Sequence, residues 1–447
     1  MRTVTGYQQG LAALARTPGY AEPRLSPAAA ERMQGLFVEP VSASEAVRRI
    51  VADVREHGDE ALRRWAERLD GADLSVVEVE PQRWASALKT LPEPMVEALL
   101  AAAERVRAYH QRSMPQGWDD PNAGYGQRIV PLERVGLYIP GGTAAYPSTV
   151  LMTAIPAKVA GVEQVVLCTP NPTPETLAAA HIACVDRLFA VGGAQAIAAM
   201  AFGTESVPKV DKICGPGGAF VALAKREVYG NVDIDGLYGP TETVVLADET
   251  ADPQIAAADL LAQAEHDELA SPVLITTSAA QAQAVIDALE QQLAVLERRA
   301  VAAAALERQG VAVVVESVEE GISLANAFAP EHLCLLVRDP ASYVGLVRNA
   351  GGIFVGEDSP EVAGDYVAGP SHTMPTGGTA RYASSLGVHT FLKQVPVIAL
   401  RPQHLRELGR AAAAIARAEG LIGHARAMER RLEGAGEPDK DFLPEDR

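Results

Sequence analysis

Four stretches of this sequence carry side chains whose types and spacing could do chemistry. In Leu261-Ala262-Gln263-Ala264-Glu265-His266, Gln263 and His266 stand three apart, which on a helix puts both on one face near its end. An imidazole beside an amide oxygen can hold a borderline divalent ion such as Zn²⁺. The same residues also read as a helix-end His interacting with the helix dipole. Pro330-Glu331-His332-Leu333 sets a carboxyl next to an imidazole ahead of an apolar run. That is the pattern of an acid/base pair, or of two chance surface neighbours. Asn349 to Lys393 holds Asp365, His372 and Arg381 among many Gly, Pro, Ser and Thr residues, the composition of a shaped loop. Glu419 and His424 lie five apart in an amphipathic stretch, and on spacing alone they are surface residues.

The elements that must position these groups alternate. Short Val/Ile/Leu-rich runs predict buried strands at Val135–Ile139, Gln164–Cys168, Arg187–Val191, Lys212–Cys214, Thr243–Ala247, Pro272–Thr277, Val311–Val315, His332–Val337 and Gly352–Val355. Between them lie Ala-rich helical stretches, among them Ser148–Ala160, Ala194–Phe202, Phe220–Tyr229 and Pro253–His266. This βαβα order predicts an α/β protein with two doubly wound sheets. The first hundred residues and Pro402–Leu432 read as helical, and the polar end after Glu433 reads as frayed. The expected division is a helical arm over residues 1–30, a first α/β domain over 31–134 with 241–390, a second over 135–240, and a helical tail over 391–447.

Glycine clusters fall where strands should end: Pro140-Gly141-Gly142-Thr143, Val191-Gly192-Gly193-Ala194-Gln195, Gly215-Pro216-Gly217-Gly218 and Gly239-Pro240-Thr241-Glu242. Such turns can cradle an anion at a helix N-terminus, or simply allow a tight connection. Neither G-x-G-x-x-G nor G-x-x-x-x-G-K-[ST] occurs, so no standard nucleotide fingerprint is present.

Composition bounds the rest. With 39 basic and 57 acidic side chains in 447 residues, the net charge of −18 argues against nucleic acid and against a cationic membrane-binding surface. Cys168, Cys184, Cys214 and Cys334 form no C-x-x-C pair and are expected to be reduced, mostly buried thiols. The N-terminus lacks a signal-peptide apolar core, and no apolar run reaches about 18 residues. The expected compartment is the cytoplasm, with no membrane partner.

Taken together, the segments VGLYIPGGTAAYPSTVLMTAIPAKVAG (135–161), VGGAQAIAAMAFGTESVPKVDKICGPG (191–217), GPTETVVLAD (239–248), DLLAQAEHD (259–267), APEHL (329–333), AGDYVAGPSHTMPTGGTARY (363–382) and AEGLIGHARA (418–427) resemble histidinol dehydrogenase over nearly the whole chain. The resemblance implies one Zn²⁺ per active site, held by Gln263, His266, Asp365 and His424. It assigns acid/base work to Glu331 and His332. Substrate contacts would fall on Thr241, Gln263, His266, His332, Asp365, Glu419 and His424, and NAD⁺ contacts on Tyr138, Gln195 and the Gly218 position. The implied reaction takes L-histidinol through L-histidinal to L-histidine with two NAD⁺, at the end of histidine biosynthesis. The implied assembly is a homodimer with shared active sites, completed by Glu419 and His424 of the neighbour's tail.

Two positions depart from the commonest family pattern. Gly218 replaces an Asn, removing one side-chain donor from the cofactor site, and Thr241 replaces a Ser, adding a methyl group beside the substrate. The rivals are a paralogous zinc- and NAD-dependent dehydrogenase of another small alcohol, such as a sulfonated diol, and a zinc hydrolase. Glu419 disfavours the sulfonated substrate, because two anions would repel.

Overall fold

Continuous Val/Ile/Leu runs that are buried on both faces form parallel strands here, and they set the architecture. The computed structural model describes residues 1–16, 36–37, 39–71, 77–141 and 145–434. Most of the expected helical arm, part of the first glycine cluster (Gly142-Thr143) and the polar end from residue 435 lie outside the described residues.

The chain divides into two units, the larger comprising residues 1–114 and 132–391. It contains two wholly parallel sheets. One runs β1 (Arg2–Thr5), β11 (Val311–Val314), β10 (Ser271–Thr276), β9 (Glu242–Ala247), β12 (His332–Leu336) and β13 (Gly352–Val355). The other runs β6 (Arg187–Phe189), β5 (Gln164–Cys168), β4 (Arg134–Tyr138), β7 (Lys212–Cys214) and β8 (Asp233–Ile234). Apolar layers cover both faces of the six-stranded sheet. Val245, Ala247, Leu274 and Cys334 join one layer, and Val244, Leu246, Leu333 and Leu335 the other. Alternate residues of one strand thus feed opposite cores. This is the α/β class that the sequence predicts. The N-terminus differs from expectation, because it opens with an edge strand that pairs with β11 before the short helix Tyr7–Ala13.

The second unit, residues 115–131 and 392–447, holds an antiparallel sheet. There β3 (Tyr125–Pro131) pairs with both β2 (Trp118–Asp120) and β14 (Leu392–Ile398). Two helices follow, Pro402–Ala418 and Ile422–Gly434. The tail is therefore helical only after a strand, and its helical stretch breaks at Glu419-Gly420-Leu421. Gly420 there has φ +75°, a left-handed turn that suits glycine.

Helix starts follow local chemistry. Ser42, Thr173, Asp252, Ser278 and Ser317 each accept a backbone N–H at the head of a helix. Pro253 occupies the first turn of Pro253–Ala264, where its missing N–H costs nothing. No described helix is long and apolar enough to cross a membrane. All four cysteines are free, with Cys168, Cys214 and Cys334 buried and Cys184 exposed.

Candidate active site

The helix Val318–Phe328 ends at Ala329, whose φ of 55° turns the chain sharply into Pro330 and Glu331. His332 then begins β12, in register with Thr243 on β9 and Gly352 on β13. The strand start therefore places Glu331 and His332 together at the amino edge of the six-stranded sheet. Both side chains are nearly buried, at 8% and 3% exposure.

The His332 ring is fixed through one nitrogen. Its Nδ1 lies 3.3 Å from the carbonyl oxygen of Glu242, so Nδ1 is the nitrogen that carries hydrogen. Its Nε2 is buried with no hydrogen-bond partner. Burial lowers the imidazole pKa to about 4, which keeps the ring neutral near pH 7 and leaves Nε2 as a free lone pair. Glu331 shifts in the opposite sense, raised well above the usual carboxyl range by burial. Its Oε2 accepts from the Thr241 hydroxyl at 2.8 Å and from the Glu242 N–H at 3.2 Å.

Thr241 also lies 2.8 Å from Gln263 Oε1. One hydroxyl proton cannot serve both acceptors at once, so Thr241 is a shared point between the acid/base pair and the amide. Gln263 Nε2 approaches Asp365 Oδ2 at 3.5 Å, and Asp365 feels the charge of His266. Gln263, His266 and Asp365 are thus gathered by the ends of two helices, Pro253–Ala264 and Glu361–Tyr366. An amide, an imidazole and a half-buried carboxylate suit Zn²⁺ by donor chemistry. Among the described residues no cluster of three or more His, Cys, Asp or Glu side chains has metal-holding geometry. The larger unit supplies only one imidazole and one carboxylate of that set. Glu419 and His424 are exposed in the second unit, one at the end of Pro402–Ala418 and the other in Ile422–Gly434.

Glu242 and Glu361 were given no role in the sequence reading, and His372 stood there only as part of a shaped loop. Glu242 holds both catalytic candidates through its main chain, and its own carboxylate receives Arg16 and the Gly377 N–H. His372 bridges the Asp365 carbonyl (2.8 Å) and the Thr149 hydroxyl (3.0 Å). Glu361, fully buried one turn before Asp365, accepts from Thr243 at 2.8 Å. The available signals were weak: an acid after G-P-T, a His in the loop, and an acid at the i−4 position of Asp365.

The glycine turns follow the carboxyl ends of β4, β6 and β7 in the other sheet. Glycine is required there partly by close packing, since a Cβ on Gly141 or Gly192 would meet Pro170 within 2.4 and 2.6 Å. Tyr138, at the end of β4, accepts the Gly193 N–H at 3.1 Å. Gln195 is fully buried and donates to Asp70 at 3.2 Å, while its Oε1 has no partner. An orphaned buried acceptor beside a glycine turn fits a hydroxyl donor such as a nucleotide ribose offers. Nothing lies within 4 Å of a Cβ built on Gly218, so the departure from Asn at this position costs a donor and relieves no clash.

Comparison with known proteins places the chain in a family. The family model described as histidinol dehydrogenase matches residues 38–432. The histidinol dehydrogenase of Dehalococcoides mccartyi is 49% identical over 411 residues, covering 90% of this chain and 93% of its relative. That of Thermus thermophilus is 50% identical over 401 residues, covering 89% and 96%. The crystal structure of the Elizabethkingia anophelis histidinol dehydrogenase superposes with a TM-score of 0.89 at 32% identity, covering 97% of this chain and 98% of that one. Motifs, fold and relatives converge, and the chain belongs to the histidinol dehydrogenase family of NAD-dependent oxidoreductases.

Proposed function

We propose that this chain performs the family reaction as a four-electron oxidation at one site, with the proton work divided between His332 and Glu331. L-Histidinol, water and two NAD⁺ become L-histidine and two NADH. When bound, NAD⁺ would supply the hydride acceptor and Zn²⁺ a Lewis-acidic anchor for orienting the substrate. Gln263, His266 and Asp365 would hold the metal together with His424. Tyr138 and Gln195 would meet the cofactor, with the open edge at Gly218 beside it.

The observation that carries the reading is the unpartnered Nε2 of His332, buried and neutral beside Glu331. With Nδ1 committed to Glu242, Nε2 is the atom that accepts the alcohol proton. Glu331 Oε2 is occupied by two donors, which leaves Oε1 to draw a proton from the water that attacks the retained aldehyde. The raised pKa of Glu331 makes its ionised form a stronger base than an ordinary carboxylate. Retention matters because a free amino-aldehyde is reactive.

Glu419 and His424 are exposed within their own chain, as residues donated to a neighbour must be. We assign them to the second subunit's site in a homodimer, with Glu419 meeting a cationic or N–H-bearing part of the substrate. The hydrolase reading gives way to the family's dehydrogenase chemistry. Titration of L-histidinol into metal-free and Zn²⁺-loaded protein tests the arrangement. Binding should require the metal and be lost in His266→Ala. Equal affinity with and without Zn²⁺ would overturn the metal's orienting role.

A further inference from the structure

We infer that the buried pair Lys225–Asp235 is the positioning device for the cofactor loop, holding Gly215-Pro216-Gly217-Gly218 in its NAD⁺-binding shape. The inference rests on placing NAD⁺ at these turns. Lys225 and Asp235 have side-chain exposures of only 2% and 1%. A charged pair so deep pays a desolvation cost that a core of apolar residues would avoid, so its contacts, more than its bulk, explain its presence.

Those contacts converge on one peptide unit and its neighbour. Lys225 Nζ donates to the Gly215 carbonyl at 2.8 Å, to the Gly236 carbonyl at 3.3 Å and to the Asp235 carboxylate. Its three N–H donors therefore have three acceptors. The Gly215 N–H in turn donates to the other Asp235 oxygen at 2.6 Å. Both polar groups of Gly215 are held from the inside, by opposite charges. Gly215 has φ +114°, and a Cβ there would lie 2.1 Å from the Tyr138 carbonyl oxygen. The turn is thus packed against the end of β4 and clamped from beneath.

With the Gly215 carbonyl drawn inward, the chain that follows runs along the open edge at Gly218, which caps the helix Ala219–Val228. Lys225 sits on that same helix, so loop and helix move as one piece. On the clamp's far side, Lys225 Nζ lies 5.0 Å from the centroid of the Tyr238 ring. The pair's hydrogen bonds go to the cofactor turn and to Gly236, and none reaches Thr241, Glu331 or Gln263.

The test compares two changes on the full-length, metal-loaded enzyme by steady-state kinetics and by equilibrium titration with NAD⁺, whose Kd should move with its KM. Lys225→Met/Asp235→Asn removes both charges together, which avoids stranding one of them. It should raise KM for NAD⁺ by about tenfold while KM for L-histidinol stays within about twofold. Gly218→Asp puts a carboxylate into open space beside the proposed pyrophosphate and should raise KM for NAD⁺ at least as much. If Gly218→Asp raises KM for NAD⁺ and the paired change lowers only kcat, the pair is merely structural and the inference fails. If neither change moves KM for NAD⁺, the cofactor's placement is wrong and the inference falls with it. Should the paired variant not fold, Asp235→Asn alone serves. Its single amide oxygen must release either Gly215 or Lys225, and a KM for NAD⁺ equal to the parent's would overturn the clamp.

Discussion

His332 and Glu331 are adjacent in sequence yet burial drives them in opposite directions, one to a neutral base and the other to a carboxyl of raised pKa. That contrast gives each a separate test. His332→Asn should lower the rate of L-histidinol oxidation about 10²- to 10⁴-fold and that of L-histidinal oxidation far less. Glu331→Gln should impair L-histidinal oxidation far more than the first oxidation, measured as single-turnover NADH formation from each substrate. Equal losses at both steps would remove the division of labour. His110 offers a stability test away from the site. It is buried with neither ring nitrogen partnered, and burial lowers its pKa to about 4. Between that value and the ordinary 6.5 the unfolded chain binds more protons than the folded one. Stability from this group is therefore complete above about pH 6.5 and is lost as the pH falls toward 4. His110→Leu should narrow the drop in Tm between about pH 7 and about pH 5, and an unchanged drop would contradict the assignment.

Short elements carry the site, and their legibility in the sequence depended on burial. The strands read from Val/Ile/Leu runs recur within a residue or two, because continuous apolar runs survive only where both faces are covered. β1, β2, β3, β8 and β14 were not legible. Arg2–Thr5 is polar and largely exposed, and Leu392–Ile398 contains Pro396 and is mostly exposed; long-range pairing makes them strands. Spacing made Glu331, His332, Gln263 and His266 candidates beside plain structural readings, whereas Glu419 and His424 took meaning only from the family resemblance. Glu361 had only its i−4 spacing from Asp365 as a signal, since nothing in sequence says that an acid will be fully buried. Its element shows its use. The six-residue helix Glu361–Tyr366 carries Asp365, and Glu361 ties that helix to Thr243 on β9. Glu361→Ala should cost about 1–3 kcal/mol in denaturant unfolding by stranding the Thr243 hydroxyl, and should also weaken Zn²⁺ binding. Glu361→Gln keeps an acceptor and should restore most of both. Identical behaviour of the two variants would refute the tether.

Across the larger unit the two sheets are used from opposite ends. The turns proposed to meet the cofactor follow the carboxyl ends of β4, β6 and β7, where open α/β sheets ordinarily bind ligands. The proposed acid/base pair sits instead at the amino edge of the six-stranded sheet, at the starts of β9 and β12. A sequence reading could find both sets of residues but not this inversion, which depends on how strands are ordered. The second unit contributes the other half of the proposed assembly. Truncation before Ala418 should abolish turnover while far-UV circular dichroism and thermal unfolding still report the α/β sheets. Normal turnover in that truncated protein would refute the shared site. The central claim is that one site carries the substrate through both oxidations. Its most direct measurement is the amount of NADH formed per molecule of L-histidinol consumed by the Zn²⁺-loaded enzyme with NAD⁺ in excess. The account predicts two, with L-histidine as product; one NADH with L-histidinal released, or none, would contradict it.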